Sequence, residues 1–201
     1  MGLKFEMHED GQTPLDEDEK EGLLFPWIST KGELDEAEQA NINKAFLWVA
    51  ERRKKFNAAE VITENFVRNL HKKMFGDIWA WAGEYRVTNK NIGVDKYQIG
   101  ISLKQLIDDC NFWIEYKTFP EDEIAIRFSH RIVAIHCFPN GNGRHSRLMA
   151  DIIIEKIFSR EVFSWGTKNL IKAGEERAAY LKAIREADTG NYSLLLDFAR
   201  A

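Results

Sequence analysis

The chain has 201 residues, enough for one domain with a sizeable core, and 44% of them are apolar, which argues against a disordered chain. A formal net charge of −4 argues against broad electrostatic binding to nucleic acid or to an anionic membrane surface. The two cysteines, Cys110 and Cys137, make neither a disulfide framework nor a metal-ligand set, so a reducing, cytoplasmic setting is expected.

Residues 1–15 are polar and acidic, unlike the apolar core of a signal peptide. No segment approaches the ~20 apolar residues that a membrane span needs. Asp16 to Leu24 reads as a short acidic helical stretch, ended by Pro26. Glu33 to Lys55 reads as the first long helix, with Leu34, Ala37, Ile42, Ala45, Phe46 and Val49 on its apolar stripe. Arg52 to Lys55 crowd its last turn and read as a solvated helix end. Thr63 caps a helix running to about Gly76, with Phe66, Leu70 and Met74 facing inward. His71 on this helix reads as a packed or surface histidine, and Trp79 and Trp81 as core anchors in the link that follows.

Residues 83–100 break the helical pattern. Tyr85, Val87, Ile92, Val94, Tyr97 and Ile99 are strand-type residues, and they predict a short β-hairpin or flap. Such a hairpin either caps the core or offers an edge to an extended partner, and the residues leave both readings open. Ser102 then caps a helix to about Tyr116. Pro120 and Glu121-Asp122-Glu123 open another, which carries Ile124, Phe128, Ile132 and Ile135 inward and ends at His136. A helix from about Gly143 to Phe158 is apolar nearly all round, so it should be the buried central helix. Gly174 to Ala187 reads as amphipathic, and Asn191 to Ala199 closes the chain. The expected fold is all-α: a helical bundle around a buried central helix, in one domain over 1–201.

The most informative stretch is His136 to Arg147, which reads HCFPNGNGRHSR. A loop this polar between two apolar runs sits on a rigid core. Gly141 and Gly143 permit positive φ and close backbone approach, so consecutive N–H groups can converge as an anion nest. The helix that follows adds unpaired first-turn N–H groups and a positive dipole end. Arg144 and Arg147 lie three apart and project from one helix face. These residues describe a polyphosphate cradle with His136 on its lip. Cys137 reads as a small packing residue, and His130 and His145 as supporting or exposed.

His136 to Arg147 resembles the signature of the Fic family, H-x-F-x-(D/E)-G-N-G-R-x-x-R. Trp81-Ala82-Gly83-Glu84-Tyr85-Arg86 with Asn91-Ile92-Gly93-Val94 looks like that family's flap. Glu21-Gly22-Leu23, with Asn41 and Ala45, looks like its N-terminal regulatory region. The whole chain is similar to the subfamily called mobile mystery protein B. The resemblance implies a Fic-type bundle with an N-terminal arm and inhibitory helix over 1–32, a helical core over 33–201, a flap at 83–100 and a catalytic loop at 136–147. It implies transfer of a nucleotide monophosphate, usually AMP from ATP with Mg²⁺, to a protein Tyr, Ser or Thr hydroxyl. His136 would be the general base, and Gly141, Asn142 and Gly143 would hold the α-phosphate. Arg144 would hold the β- and γ-phosphates, with Arg147 at the γ end. Asn91, Ile92, Gly93 and Val94 would dock the target segment.

Three departures from the family pattern carry expectations of their own. Asn140 stands where an acidic metal ligand is common, so it is expected to be a weak, neutral ligand. Cys137 replaces a common proline. Glu21-Gly22 fits the end of the inhibitory motif (S/T)-x-x-x-E-(G/N), but Glu17 stands at its Ser/Thr position; Glu21 is expected to pair with Arg147 and hold the enzyme off. The resemblance also leaves room for self-modification, a homodimer and a regulator encoded nearby, in a bacterial, toxin–antitoxin-like setting. Two alternatives stand beside AMP transfer: a Fic-related phosphotransferase with another phosphate donor, and a non-catalytic module that senses nucleotide.

Overall fold

Local chemistry sets most helix starts. Thr63 Oγ1 accepts a hydrogen bond from Phe66 N at 3.1 Å, and Asn57 Oδ1 accepts one from Glu60 N at 2.9 Å. Pro120, which needs no N–H acceptor, precedes a first turn of three acids that suit the positive dipole end. The computed structural model describes residues 15–51, 56–166 and 173–201. The arm before Leu15 and the basic run at 52–55 lie outside the described residues. The helices are α1 (Glu17–Lys20), α2 (Lys31–Glu51), α3 (Ala58–Val61), α4 (Glu64–Phe75), α5 (Ile99–Tyr116), α6 (Glu121–Ile135), α7 (Asn142–Ile152), α8 (Ala173–Asp188) and α9 (Ser193–Arg200).

Helix α7 is the centre. Leu148, Met149, Ala150 and Ile152 are buried, as are Ile153 and Ile154 just beyond it, and full burial of each large aliphatic side chain is worth roughly 1.5–3 kcal/mol. The helix packs chiefly on α6 and also on α4; α2 lies against α4, α5 against α6, and α8 against α9. Past Ile152 the chain widens into a π turn over Ile153–Ile157, where Phe158 N reaches back to Ile153 O at 3.3 Å. No described helix is long and apolar enough to cross a membrane.

The all-α expectation holds, but the predicted β-hairpin does not form. Among the described residues the one β contact is an isolated bridge between Leu23 and Trp79. Residues 83–95 are turns, followed by a 3₁₀ turn at Lys96–Gln98, which Asp95 caps through Tyr97 N at 2.9 Å. Helix α5 therefore starts at Ile99, ahead of the predicted Ser102. The flap's carbonyls find a side chain instead of a partner strand. The Arg86 guanidinium donates to Thr88 O at 2.8 Å, to Val94 O, and to His136 O at 2.6 Å. Arg86 is only 2% exposed, and three carbonyl acceptors account for a charge buried that deeply.

Candidate active site

Helix α6 ends on His136, whose backbone is left-handed at φ +57°. That region is sparsely populated by residues with a β-carbon, so the surroundings hold it there. The turn that follows is clamped by Asn142. Its Oδ1 accepts Phe138 N at 3.0 Å and its Nδ2 donates to Phe138 O at 2.8 Å. The fully buried Phe138 ring stacks on His71 with centroids 3.8 Å apart and meets His145 edge-on at 5.3 Å. The core thus dictates the shape of the loop.

The two glycines have different duties. Gly141 has φ +78°, and a β-carbon there would fall 2.5 Å from the Phe75 ring. Gly143 is helical, and a β-carbon there would meet nothing within 4 Å. The expectation of positive φ thus holds for Gly141 alone, and the anion-binding feature is a helix start rather than an alternating nest. The first intrahelical bond is His145 N to Gly141 O at 2.9 Å, so the N–H groups of Asn142, Gly143 and Arg144 precede the ladder and point along the positive end of α7.

The arginines turn to different neighbours. Arg144 Nη2 pairs with Glu38 Oε2 at 2.7 Å, and its Cζ lies 4.9 Å from the centre of the Phe75 ring. Arg147 Cζ lies 5.2 Å from the Tyr180 ring, with Asp151 also nearby. Glu21 is exposed and forms no ion pair with Arg147 among the described residues, so the expected inhibitory pair is not made in this structure. Gly22 has a packing reason instead: a β-carbon there would fall 2.5 Å from Trp81 Cδ1.

Asn140 Oδ1 accepts Gly141 N at 2.7 Å, and its backbone oxygen accepts His71 Nε2 at 3.0 Å. The carboxamide expected to serve as a weak metal ligand already accepts a hydrogen bond from its own loop. The loop carries no carboxylate, and among the described residues no three His, Cys, Asp or Glu side chains cluster as a metal site. The residues present do not fit a protein-held magnesium ion, which usually needs one or two carboxylates beside phosphate oxygens.

The flap lies directly on the histidine. Arg86 N donates to Cys137 O at 2.9 Å and Val94 N to Ile135 O at 3.3 Å. Gly93 has φ +100°, and a β-carbon there would fall 2.6 Å from His136 Cβ. Asn91, Ile92 and Gly93 are exposed and Val94 is half-buried. Two residues that sequence reading gave no role in the site build it from behind. His71 accepts Gly83 N on Nδ1 at 3.0 Å and donates from Nε2 to Asn140 O, which ties the flap's start to the loop. Arg86 ties the flap's middle to His136. Glu38, on α2, is the third residue that no local pattern marked.

Burial pulls the His136 imidazole down to about 4, with help from the neighbouring Arg86 charge. Burial also takes His145 to about 4 and holds His71 well below 6.5, so all three are neutral near pH 7. The Cys137 thiol is pushed up to about 12 by burial, which fits packing and not nucleophilic work. These shifts predict acid lability. Between pH 6.5 and about 4 the unfolded chain binds protons that the folded chain does not, so stability falls on acidification. A shift from 6.5 to about 4 is worth on the order of 3 kcal/mol per histidine. Asp151, raised to about 7 by burial, acts with the opposite sign across this window and offsets one of them. Urea unfolding at pH 7 and pH 5 should show the folded state weakened by about 1–3 kcal/mol at the lower pH.

A helical bundle whose central helix begins in a glycine loop, with a histidine behind the loop and a flap over it, defines a Fic-type domain. The Fic/DOC family model matches residues 61–154. Solved structures share the fold. BepC, a VirB-translocated effector from Bartonella tribocorum with bound AMPPNP, is 19% identical, with a TM-score of 0.65 over 86% of this chain and 87% of that one. The N-terminal Fic domain of a VirB-translocated Bep effector from Bartonella quintana, with bound ADP, is 16% identical, with a TM-score of 0.64 over 87% and 86%. Fic-1 (residues 134–508) from C. elegans is 20% identical, with a TM-score of 0.63 over 90% of this chain and 50% of that one; this chain spans half of its length.

Proposed function

We propose that the protein is a Fic-type adenylyltransferase, moving AMP from ATP to a Tyr, Ser or Thr hydroxyl of a protein target. The observation that carries this reading is the pairing of a neutral, buried His136 with an open helix start at Gly143, under a flap whose Asn91, Ile92 and Gly93 are exposed. His136 takes the proton of the incoming hydroxyl, whose oxygen attacks the α-phosphorus. The bond from that phosphorus to the bridging oxygen breaks, and pyrophosphate leaves. The first-turn N–H groups face the charge that builds on the α-phosphate, and Arg144 and Arg147 hold the departing phosphates. Residues Asn91 to Val94 dock the target segment by backbone contacts. No step is assigned to a metal, because the loop offers it no anionic oxygen.

Incubation with labelled ATP, GTP, CTP and UTP, followed by mass spectrometry, tests the reading. A gain of AMP, or of another nucleotide monophosphate, on a target or on the protein itself is the expected result. A gain of phosphate alone would reassign the site to a phosphotransferase. Nucleotide binding without any adduct would reduce it to a sensing module. Restraint by Glu21 belongs to the same proposal and requires α1 to move, since Glu21 is exposed. Glu21→Gly should increase self-modification severalfold; equality with wild type removes Glu21 from the scheme.

A further inference from the structure

Glu38 is a carboxylate in an improbable place. It is 2% exposed and lies on α2, among helix residues that pack on α4. Buried carboxylates persist where both oxygens are engaged. Here Oε1 accepts Trp79 Nε1 at 2.6 Å and Oε2 takes Arg144 Nη2 at 2.7 Å. Trp79 is itself 1% exposed, so the carboxylate is anchored on its far side by a group that cannot move away. The fold supplies this pair from elements distant in sequence, and neither α2 nor the link holding Trp79 contributes to the glycine loop.

The consequence falls on Arg144. Its guanidinium carries five N–H donors in one plane. Glu38 engages Nη2 and the Phe75 ring lies 4.9 Å from Cζ, so the guanidinium is held between a carboxylate and an aromatic ring before any ligand arrives. Glu38 is the one ion-pair partner of Arg144 among the described residues, and the Arg144 side chain remains 32% exposed. A flexible arginine would lose side-chain entropy on clamping a phosphate; one held in advance loses less. We infer that Glu38 is a positioning residue for the bound nucleotide: it presets Arg144 for the phosphates beyond the α-phosphate. This inference rests on the nucleotide reading of the loop.

The test separates Arg144 from the rest of the site by counting phosphates. Affinities for AMP and ADP are measured on wild type, Glu38→Gln, Glu38→Asp and Arg144→Ala. In the glutamine variant one amide oxygen cannot serve both Trp79 and Arg144, and the charge is gone. Glu38→Gln should weaken ADP about tenfold and leave AMP within about twofold, and Arg144→Ala should do the same. The double variant Glu38→Gln/Arg144→Ala should lose no more ADP affinity than Arg144→Ala alone. Glu38→Asp keeps the charge but retracts it by one methylene, so it should lose part of the ADP preference; it also serves if the glutamine variant does not fold. Equal weakening of AMP and ADP would make Glu38 merely structural and overturn the inference. Tighter ADP binding would make it a competitor of phosphate and overturn it equally. Loss of ADP preference in Arg144→Ala with none in either Glu38 variant sinks the inference and leaves the nucleotide reading standing. A wild-type protein that binds neither nucleotide sinks both.

Discussion

His136→Ala is expected to lower AMP transfer by about 10²–10⁴-fold while ATP binding stays within a few-fold of wild type. The reasoning starts from the charge state. An imidazole pulled down to about 4 by burial and by Arg86 is neutral at pH 7 and ready to accept a proton. The transfer rate of the wild type should therefore stay level from pH 8 to about 5 and drop as the pH nears 4. A midpoint near 6.5 in that profile would show that His136 titrates like an exposed histidine and would contradict the burial seen here. Alanine is an imperfect probe, because it adopts a left-handed backbone such as φ +57° less readily than histidine does. His136→Asn tolerates that backbone better and also lacks a base. Both variants should lose transfer alike; wild-type rates in either would remove His136 from the chemistry.

The contrast between what was legible in sequence and what was not follows the range of the interactions. Thr63 and Pro120 mark helix starts through contacts within four residues, and a sequence shows these directly. The loop at 136–147 was legible for the same reason: its glycines, histidine and arginines are consecutive. The flap was misread because alternation at Tyr85, Val87, Ile92 and Val94 is what a strand and an extended turn have in common. The difference lies in who takes the carbonyls, and here that is the Arg86 guanidinium. The neighbours of Arg144 and His71 come from other helices, and no spacing rule reaches them. The expected Glu21–Arg147 pair rested on motif resemblance alone, and the fold turns Arg147 toward Tyr180 and Asp151 instead.

The two loop glycines should separate folding from function when each is changed to alanine. Gly143→Ala adds a β-carbon into open space on a helical residue, so the folded state accepts it, and helix propensity favours it by up to ~1 kcal/mol. That same open space is where a phosphate would meet the first-turn N–H groups. The variant should melt at or above the wild-type temperature yet lose transfer by about 10²–10³-fold, because the added methyl group keeps the phosphate off the first-turn N–H groups, a loss as large as that of one donor to a developing oxyanion. Gly141→Ala meets the opposite situation. At φ +78° a β-carbon is disfavoured by roughly 1–2 kcal/mol, and contact 2.5 Å from the Phe75 ring adds overpacking of roughly 1–3 kcal/mol. It should lower stability by about 2–5 kcal/mol in urea unfolding, with any loss of activity following the loss of folded protein. Wild-type ATP binding and transfer in Gly143→Ala would mean that the start of α7 is not where phosphate sits. The anion site would then have to be sought around Arg147, away from the N–H groups that make the loop distinctive.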